Sequence, residues 1–449
     1  MASLTYRQLL VGNRSFRRLW TGQVVSELGS WFDFIAVLGL VRAVSGGAPE
    51  ATAMMVFVRL APFALFAPLA GALVDRWSRR TVMIVSDAAR AVVVLGFLLV
   101  RGPEDLWIVY ACSIISALLG ALFEAAKNAA VPNLAGGDGL LAANALMFSS
   151  RFLLMSVGAA LGGATAARFG YTAAFIVDAV SFLVSAYYVW LIPPGEMRQE
   201  RGEALAREPV PETKSRLRVF ADVREGWAYI VHHRLVFSII GINILWATGG
   251  GACNLIYERL GAVVFARPGD AQADTNVAAI YTVVGAGLFI GMMLARRIGA
   301  HVELHETTAA FMGWMLIAHG IFFALAGLMP TIWLSGAMIF ISRMVIAIEF
   351  AVQETLMMRM LPDSLRGRVF TTDRAAEILV MSVSLMVAGW SLRSISPRTL
   401  TLISGLLSAS PGVMWLALFA LGKLRLPPAP EHPAPGEAEA EKAVLVSAG

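Results

Sequence analysis

Apolar runs of about twenty residues or more succeed one another along the chain, separated by short polar breaks that carry most of its charge. A run of that length is what a helix needs to cross the hydrocarbon core of a bilayer. The pattern predicts spans at about 17–42, 51–74, 81–101, 105–129, 141–167 and 171–192, and a second set at about 234–262, 276–298, 306–328, 331–357, 369–394 and 399–422. Between the sets, residues 193–215 are rich in proline and charge and read as a linker. Leu217, Phe220, Val223, Trp227 and Ile230 then recur at helical spacing beside Arg216, Arg218, Arg224 and Glu225, which predicts an amphipathic helix on the membrane surface. The tail from Pro427 is rich in Pro, Ala and Glu and reads as disordered. The organisation is therefore a six-helix bundle over 1–192, a linker with its amphipathic helix over 193–233, a second six-helix bundle over 234–426, and a tail over 427–449. The fold class is an all-α polytopic membrane protein.

Composition agrees. Of 449 residues, 57% are hydrophobic and 15% charged, against roughly 45–50% and 25% in soluble domains. The net charge of +5 is gathered in clusters between spans, a topology signal rather than a nucleic-acid-binding stripe. Arg76, Arg79 and Arg80 follow span 2, Arg296 and Arg297 span 8, and Arg359, Arg366 and Arg368 span 10; the opposite turns are poorer. Both termini and the linker are expected in the cytoplasm, in a multi-pass protein of a bacterial inner membrane. The first run carries Glu27 and Asp33, unlike a signal peptide. Cys112 and Cys253 lie in apolar runs without a CxxC, and His301 and His305 have no third ligand nearby, so no metal is expected. No phosphate-binding loop, dinucleotide fingerprint or nucleophile elbow occurs, so neither an enzyme nor a primary pump is indicated.

The halves look alike. Gly71 to Arg76 has a worn counterpart in Gly291 to Arg296, after the second helix of its half, with Ala295 where Asp75 stands. Parallel repeats of six spans are one transporter plan. Here the residues resemble the major facilitator superfamily. Gly71-Ala-Leu-Val-Asp75-Arg76-Trp-Ser-Arg79-Arg80 matches its signature turn between helices 2 and 3. Asn13 to Trp20, Phe175 to Phe182, Glu225 to Tyr229 and Leu365 to Phe370 are similar to its bacterial macrolide-efflux and enterobactin-exporter branch. Two departures stand out: no arginine occurs from Val109 to Ala126 in span 4, and Gly158 to Gly163 keeps the glycines of the helix-5 signature without its proline. The resemblance implies a transporter of a small amphipathic molecule, in the export direction. It implies a monomer in the lipid bilayer with no cofactor, the proton gradient as energy source and no nucleic-acid partner. A facilitator or importer, and a non-transporting scaffold or sensor of the same fold, are the alternatives.

Charges inside the bilayer are expensive and need a partner or a wet cavity. In span 1, Gln23, Glu27, Ser30 and Asp33 step by four, three and three residues along one polar stripe, with Glu27 and Asp33 about 9 Å apart in rise. Arg151, in span 5, lies at the depth of Glu27. The two make a fixed ion pair, a pair that opens on protonation or substrate binding, or no contact. In span 7, Asn243, Trp246, Gly250, Asn254 and Tyr257 share a face, and Arg343 sits near the middle of span 10. The resemblance places spans 1, 4, 7 and 10 around a central cavity, which makes Gln23, Asn243, Trp246, Asn254 and Arg343 candidate substrate contacts. Packing is the other reading of Trp246, and neutralisation of Glu349 or an acid of span 1 the other reading of Arg343. Asp178 reads as structural, and Glu124 with Lys127 as a local ion pair. The signature turn, Gly71, Asp75, Arg76, Arg79 and Arg80, is a candidate gate: Asp75 is expected near the start of span 11, at Val369 to Thr372, and the arginines at lipid headgroups or carboxylates of the other half. Topology alone is the other reading of those arginines.

Overall fold

The structure is a computed structural model, and it describes residues 5–74, 76–197, 227–266, 272–304 and 307–424. Ten helical segments are long and apolar enough to span a bilayer. One of them, Leu106–Trp190, is three helices: Gly136 (φ 67°) and Gly170 (φ 76°) break it. A positive φ is nearly free only for glycine, so these positions break one helix and start the next with no intervening loop. We number the spanning helices α1 (Arg14–Val44), α2 (Pro49–Val74), α3 (Arg79–Leu95), α4 (106–135), α5 (137–169), α6 (171–190), α7 (Arg234–Val264), α8 (Gln272–Leu304), α9 (Thr308–Leu328), α10 (Ile332–Met360), α11 (Asp363–Ser391) and α12 (Pro397–Ala420). The all-α, twelve-helix plan expected from the apolar runs is the one observed.

Local chemistry starts and stops these helices. Asn13 caps α1, accepting from Phe16 N at 2.8 Å, and Thr331 and Ser396 cap α10 and α12, with Pro397 in the first turn where its missing N–H costs nothing. Orphan carbonyls at the end of α6 receive donors from arginines of the same half: Arg18 Nη1 reaches Leu191 O at 2.6 Å and Arg80 reaches Trp190 O. The short helix Tyr6–Gly12 begins with a Thr5–Gln8 capping box and buries Leu9. Beyond the linker, residues 227–232 are helical, and Ile230 is fully buried in the C-terminal core rather than facing lipid. The preceding residues of the expected amphipathic helix lie outside the described residues.

Helices α1–α6 form one bundle and α7–α12 another, joined where α5 packs on α8 and α2 on α11. Small residues permit the first contact. A Cβ on Gly163 would lie 2.1 Å from that of Ala278, and one on Gly285 2.5 Å from Ser156 N. Across the other face of α5, a Cβ on Gly162 would lie 2.8 Å from Phe32 Cα and one on Gly158 2.6 Å from Trp31 Cβ. Glycines 158, 162 and 163 thus let α5 sit directly on α1 and α8 together, the close approach that small residues give membrane helices.

The buried apolar residues fall into three clusters. Near the termini, the N-terminal half has its own core (Phe16, Leu19, Phe123, Val189) and the C-terminal half another (Ile239, Met312, Trp415, Val369). Toward the far end, Ile35, Leu38 and Met55 of one half merge with Tyr257, Leu260, Tyr281 and Leu385 of the other. The molecule has two cores at one end and one at the other.

Candidate functional site

The fused end is held by charge as well as by apolar packing. Arg42, near the end of α1, donates from Nη1 to Glu258 Oε1 of α7 at 3.1 Å and pairs with Asp274 of α8. Tyr171 of α6 donates to the same Asp274 at 2.7 Å. Arg259 crosses the other way, reaching Gly47 O at 2.8 Å and Thr52 Oγ1 at 3.1 Å, while its Nε sits 2.8 Å from Glu258. Arg393, just past the end of α11, meets Glu50 of α2 at 2.5 Å. Glu258 is wholly enclosed, and its charge is compensated by one arginine from each half.

At mid-depth, between the fused end and the separate cores, Glu27 and Arg151 face each other with Arg151 Nε 3.7 Å from Glu27 Oε1. The Arg151 side chain is 60% exposed, Glu27 21%. Arg151 lies about 20 Å along α5 from its start at the termini end. A guanidinium exposed to hydrocarbon at that depth is costly and calls for wet surroundings. Gln23 stands one turn away, its amide nitrogen 3.5 Å from Glu27 Oε2.

Asp33 does not continue that stripe. Steps of four, three and three residues drift around the helix, and six residues from Glu27 the side chain has turned by roughly 120°. Asp33 is 1% exposed and pairs with Arg59 of α2, whose guanidinium also lies 5.5 Å from the Phe34 ring centroid. Asp178 of α6, 1% exposed, lies beside this pair and accepts from Ser181 Oγ at 3.2 Å. A Cβ on Gly29 would strike both Asp178 and Ser181. Asp33 therefore belongs to a charge cluster inside the N-terminal bundle, away from Glu27. A second such cluster sets Arg90 against Asp87, between the rings of Phe123 and Phe182, with Lys127 and Glu124 paired at 2.6 Å.

In the C-terminal half the expected face of α7 is divided among four neighbouring helices. Asn243 donates to Asp373 Oδ2 of α11 at 3.0 Å and accepts from Gln353 of α10 at 2.9 Å. Trp246 lies beside His319 of α9, ring centroids 6.3 Å apart. Asn254 accepts from Tyr281 of α8 at 3.1 Å. Arg343 is buried against Cys253, Tyr257 and Phe323 and contacts neither Glu349 nor an acid of α1.

Of the signature turn, Gly71 has open space at its Cβ position and Arg76 is exposed. Arg79 Nη1 donates to Ala129 O at 2.8 Å and Arg80 to Trp190 O, so both bond carbonyls of their own half. Asp75 lies outside the described residues, and with it the contact expected at Val369 to Thr372; His305 does too. The sequence reading passed over Arg42, Arg59, Glu258, Arg259, Asp274 and Asp373. Each is a charge within or at the edge of a span, so the rule that singled out Glu27 and Arg151 applies equally to them.

A family model described as Major Facilitator Superfamily matches residues 19–372. YfiS of Bacillus subtilis, an uncharacterized MFS-type transporter, is 25% identical over 232 residues; the match covers 52% of this chain and 53% of that protein, so the chain spans about half the length of this relative. Macrolide efflux protein A of Streptococcus pyogenes is 23% identical over 401 residues, 87% of this chain and 93% of that one. Among solved structures, a bacterial homologue of the iron transporter ferroportin in an inward-facing state superposes with a TM-score of 0.67 at 12% identity, over 90% of this chain and 98% of that chain.

Proposed function

The chain belongs to the Major Facilitator Superfamily, and we propose that within it this protein is a secondary exporter of a small amphipathic molecule, working by alternating access and driven by the proton gradient. The observation that carries this reading is the three-core arrangement: separate cores near the termini and one shared core at the far end. Two rigid bundles meeting along one edge can rock, moving the opening of the cleft from one side to the other. The rocking units are residues 1–192 and 234–426, and 193–233 tethers them.

Orientation rests on the arginine-rich turns. Arg76, Arg79, Arg80, Arg296, Arg297, Arg359, Arg366 and Arg368 lie in the turns on the side of the termini, and this bias supports a cytoplasmic face there, in a bacterial inner membrane. The cleft then receives its cargo from the cytoplasm, and the name of the Streptococcus pyogenes relative supports export. Glu27 is the proton carrier in this reading. While ionised it holds Arg151; once protonated it releases Arg151, and the cleft loses an ion pair at the depth where cargo sits.

Acid-loaded liposomes containing the purified protein and a radiolabelled macrolide test this. Accumulation driven by the pH gradient is expected in the native protein and absent in Glu27→Gln, which retains exchange of labelled for unlabelled macrolide. Gradient-driven accumulation that survives Glu27→Gln removes the coupling role. If neither protein moves the macrolide nor any other amphipathic compound of a panel, the non-transporting alternative takes its place.

A further inference from the structure

The C-terminal half contains a buried cation that no acid faces among the described residues. Arg343 is 7% exposed. Its guanidinium lies 5.0 Å from the Phe323 ring centroid and 5.5 Å from that of Tyr257, and Nη2 donates to Cys253 Sγ at 3.3 Å. Its electrostatic neighbours are a phenol, a thiol and an imidazole, with no carboxylate among them, and its Nε has no acceptor. Glu349, the next acid on α10, stands six residues away, about 9 Å further along and roughly 120° around the helix.

Arginine presents five donors in a planar fork shaped for a carboxylate. Here one reaches a sulfur, a weak acceptor. Another donor of the same wall is unmatched, the indole Nε1 of Trp246, and the Tyr257 hydroxyl lies against the same guanidinium and Cys253. The rings linking them are contiguous. Trp246 lies 6.3 Å from His319, His319 stacks 6.4 Å from Phe323, and Arg343 covers Phe323 and Tyr257. The aromatic wall continues across the seam, since Tyr257 meets Tyr281 at 5.5 Å and Tyr281 meets Phe34 of α1 at 5.3 Å. Buried donors on an aromatic bed, with a guanidinium among them, suit an acceptor that arrives with its own negative charge and apolar body.

We propose that this wall is an anionic subsite, taking the carboxylate or phenolate of an otherwise apolar, aromatic compound against Arg343, Trp246 and Tyr257. The proposal rests on the transporter reading and adds to the macrolide probe an anionic class of cargo. Trp246 is the half-buried member of the set, so the acid reaches the two buried donors past the indole. The site lies in the half opposite Glu27 and Arg151, and its ring wall touches the seam, so an occupant bears on both bundles.

Calorimetric titration of the purified full chain with naphthalene-1-acetate, its methyl ester and 1-naphthylmethylamine tests this without requiring transport. The acid is expected to bind at least about tenfold more tightly than the ester or the amine, the margin of a charge-assisted pair. Arg343→Gln should abolish that margin and Arg343→Lys restore part of it, with ester binding unchanged in both. If Arg343→Gln fails to fold, Trp246→Phe, which keeps the ring and deletes the donor, should weaken the acid and not the ester. Equal binding of the three probes, no binding of any, or an acid preference that survives both Arg343→Gln and Trp246→Phe would overturn the proposal. Macrolide exchange in liposomes is unaffected by those results, so failure of the subsite and failure of the transporter reading are told apart.

Discussion

At the residue scale, the far-end seam depends on Arg42 more than on any other described side chain. It is the one residue there that binds carboxylates of two helices of the opposite half, Glu258 and Asp274. Without it, Glu258 keeps Arg259 and Asp274 keeps Tyr171, so both acids stay partnered while the two ion pairs that Arg42 makes between the halves are lost. Arg42→Gln is therefore expected to favour parting of the seam by about 1.5–3 kcal/mol, the worth of a hydrogen bond to a charged group. A cysteine at Ala388, buried in the shared core, reports this through its rate of reaction with a water-soluble maleimide, with Cys112 and Cys253 replaced by alanine. The rate should rise about tenfold or more in the Arg42→Gln background; an unchanged rate would mean the seam does not depend on this residue. The sequence showed single charges at their depths, and pairing Glu27 with Arg151 took their equal depth together with the closeness of helices 1 and 5 that the family resemblance implies. Direction around the helix was harder to read. Steps of three and four residues look like one stripe locally, yet they carry Asp33 away from Glu27 and into the bundle beside Arg59 and Asp178.

At the element scale, the informative residues are the smallest. The run Gly158 to Gly163 reads in sequence as a family signature lacking its proline; in the fold it is the surface on which α5 meets two helices at once. Gly162 has the Phe32 backbone where its Cβ would be, and backbone cannot step aside as a flexible side chain does. Gly162→Val should force α1 and α5 apart and destabilise the protein by about 1–3 kcal/mol, read as a lower midpoint of thermal unfolding in detergent. An unchanged midpoint would show that α5 does not approach α1 this closely. Helix number and positions were legible because apolar length is a strong, local signal. The breaks around Gly136 and Gly170 were legible too, since the predicted spans stop at 129 and 167 and resume at 141 and 171; that each turns on a single glycine with positive φ was not. Nor was the division of the α7 face among Asp373, His319 and Tyr281, which depends on which helices surround it.

At the scale of the whole molecule, the two halves share a core, a charge network and an aromatic wall at one end, and keep separate cores at the other. The repeat visible in sequence foretold two bundles; which end they join at is a matter of tertiary contact between residues hundreds of positions apart, such as Glu50 and Arg393. The transport account requires that this asymmetry reverse. Spin labels at Ala43 and Ser394 report the far end and labels at Trp77 and Met358 the termini end; all four residues are exposed. Pulsed electron–electron distance measurements on the two pairs, with and without macrolide and across a change of pH, test the central claim most directly. The account predicts a second population in which the far-end distance lengthens while the termini-end distance shortens; one fixed distance at each end under every condition would contradict it.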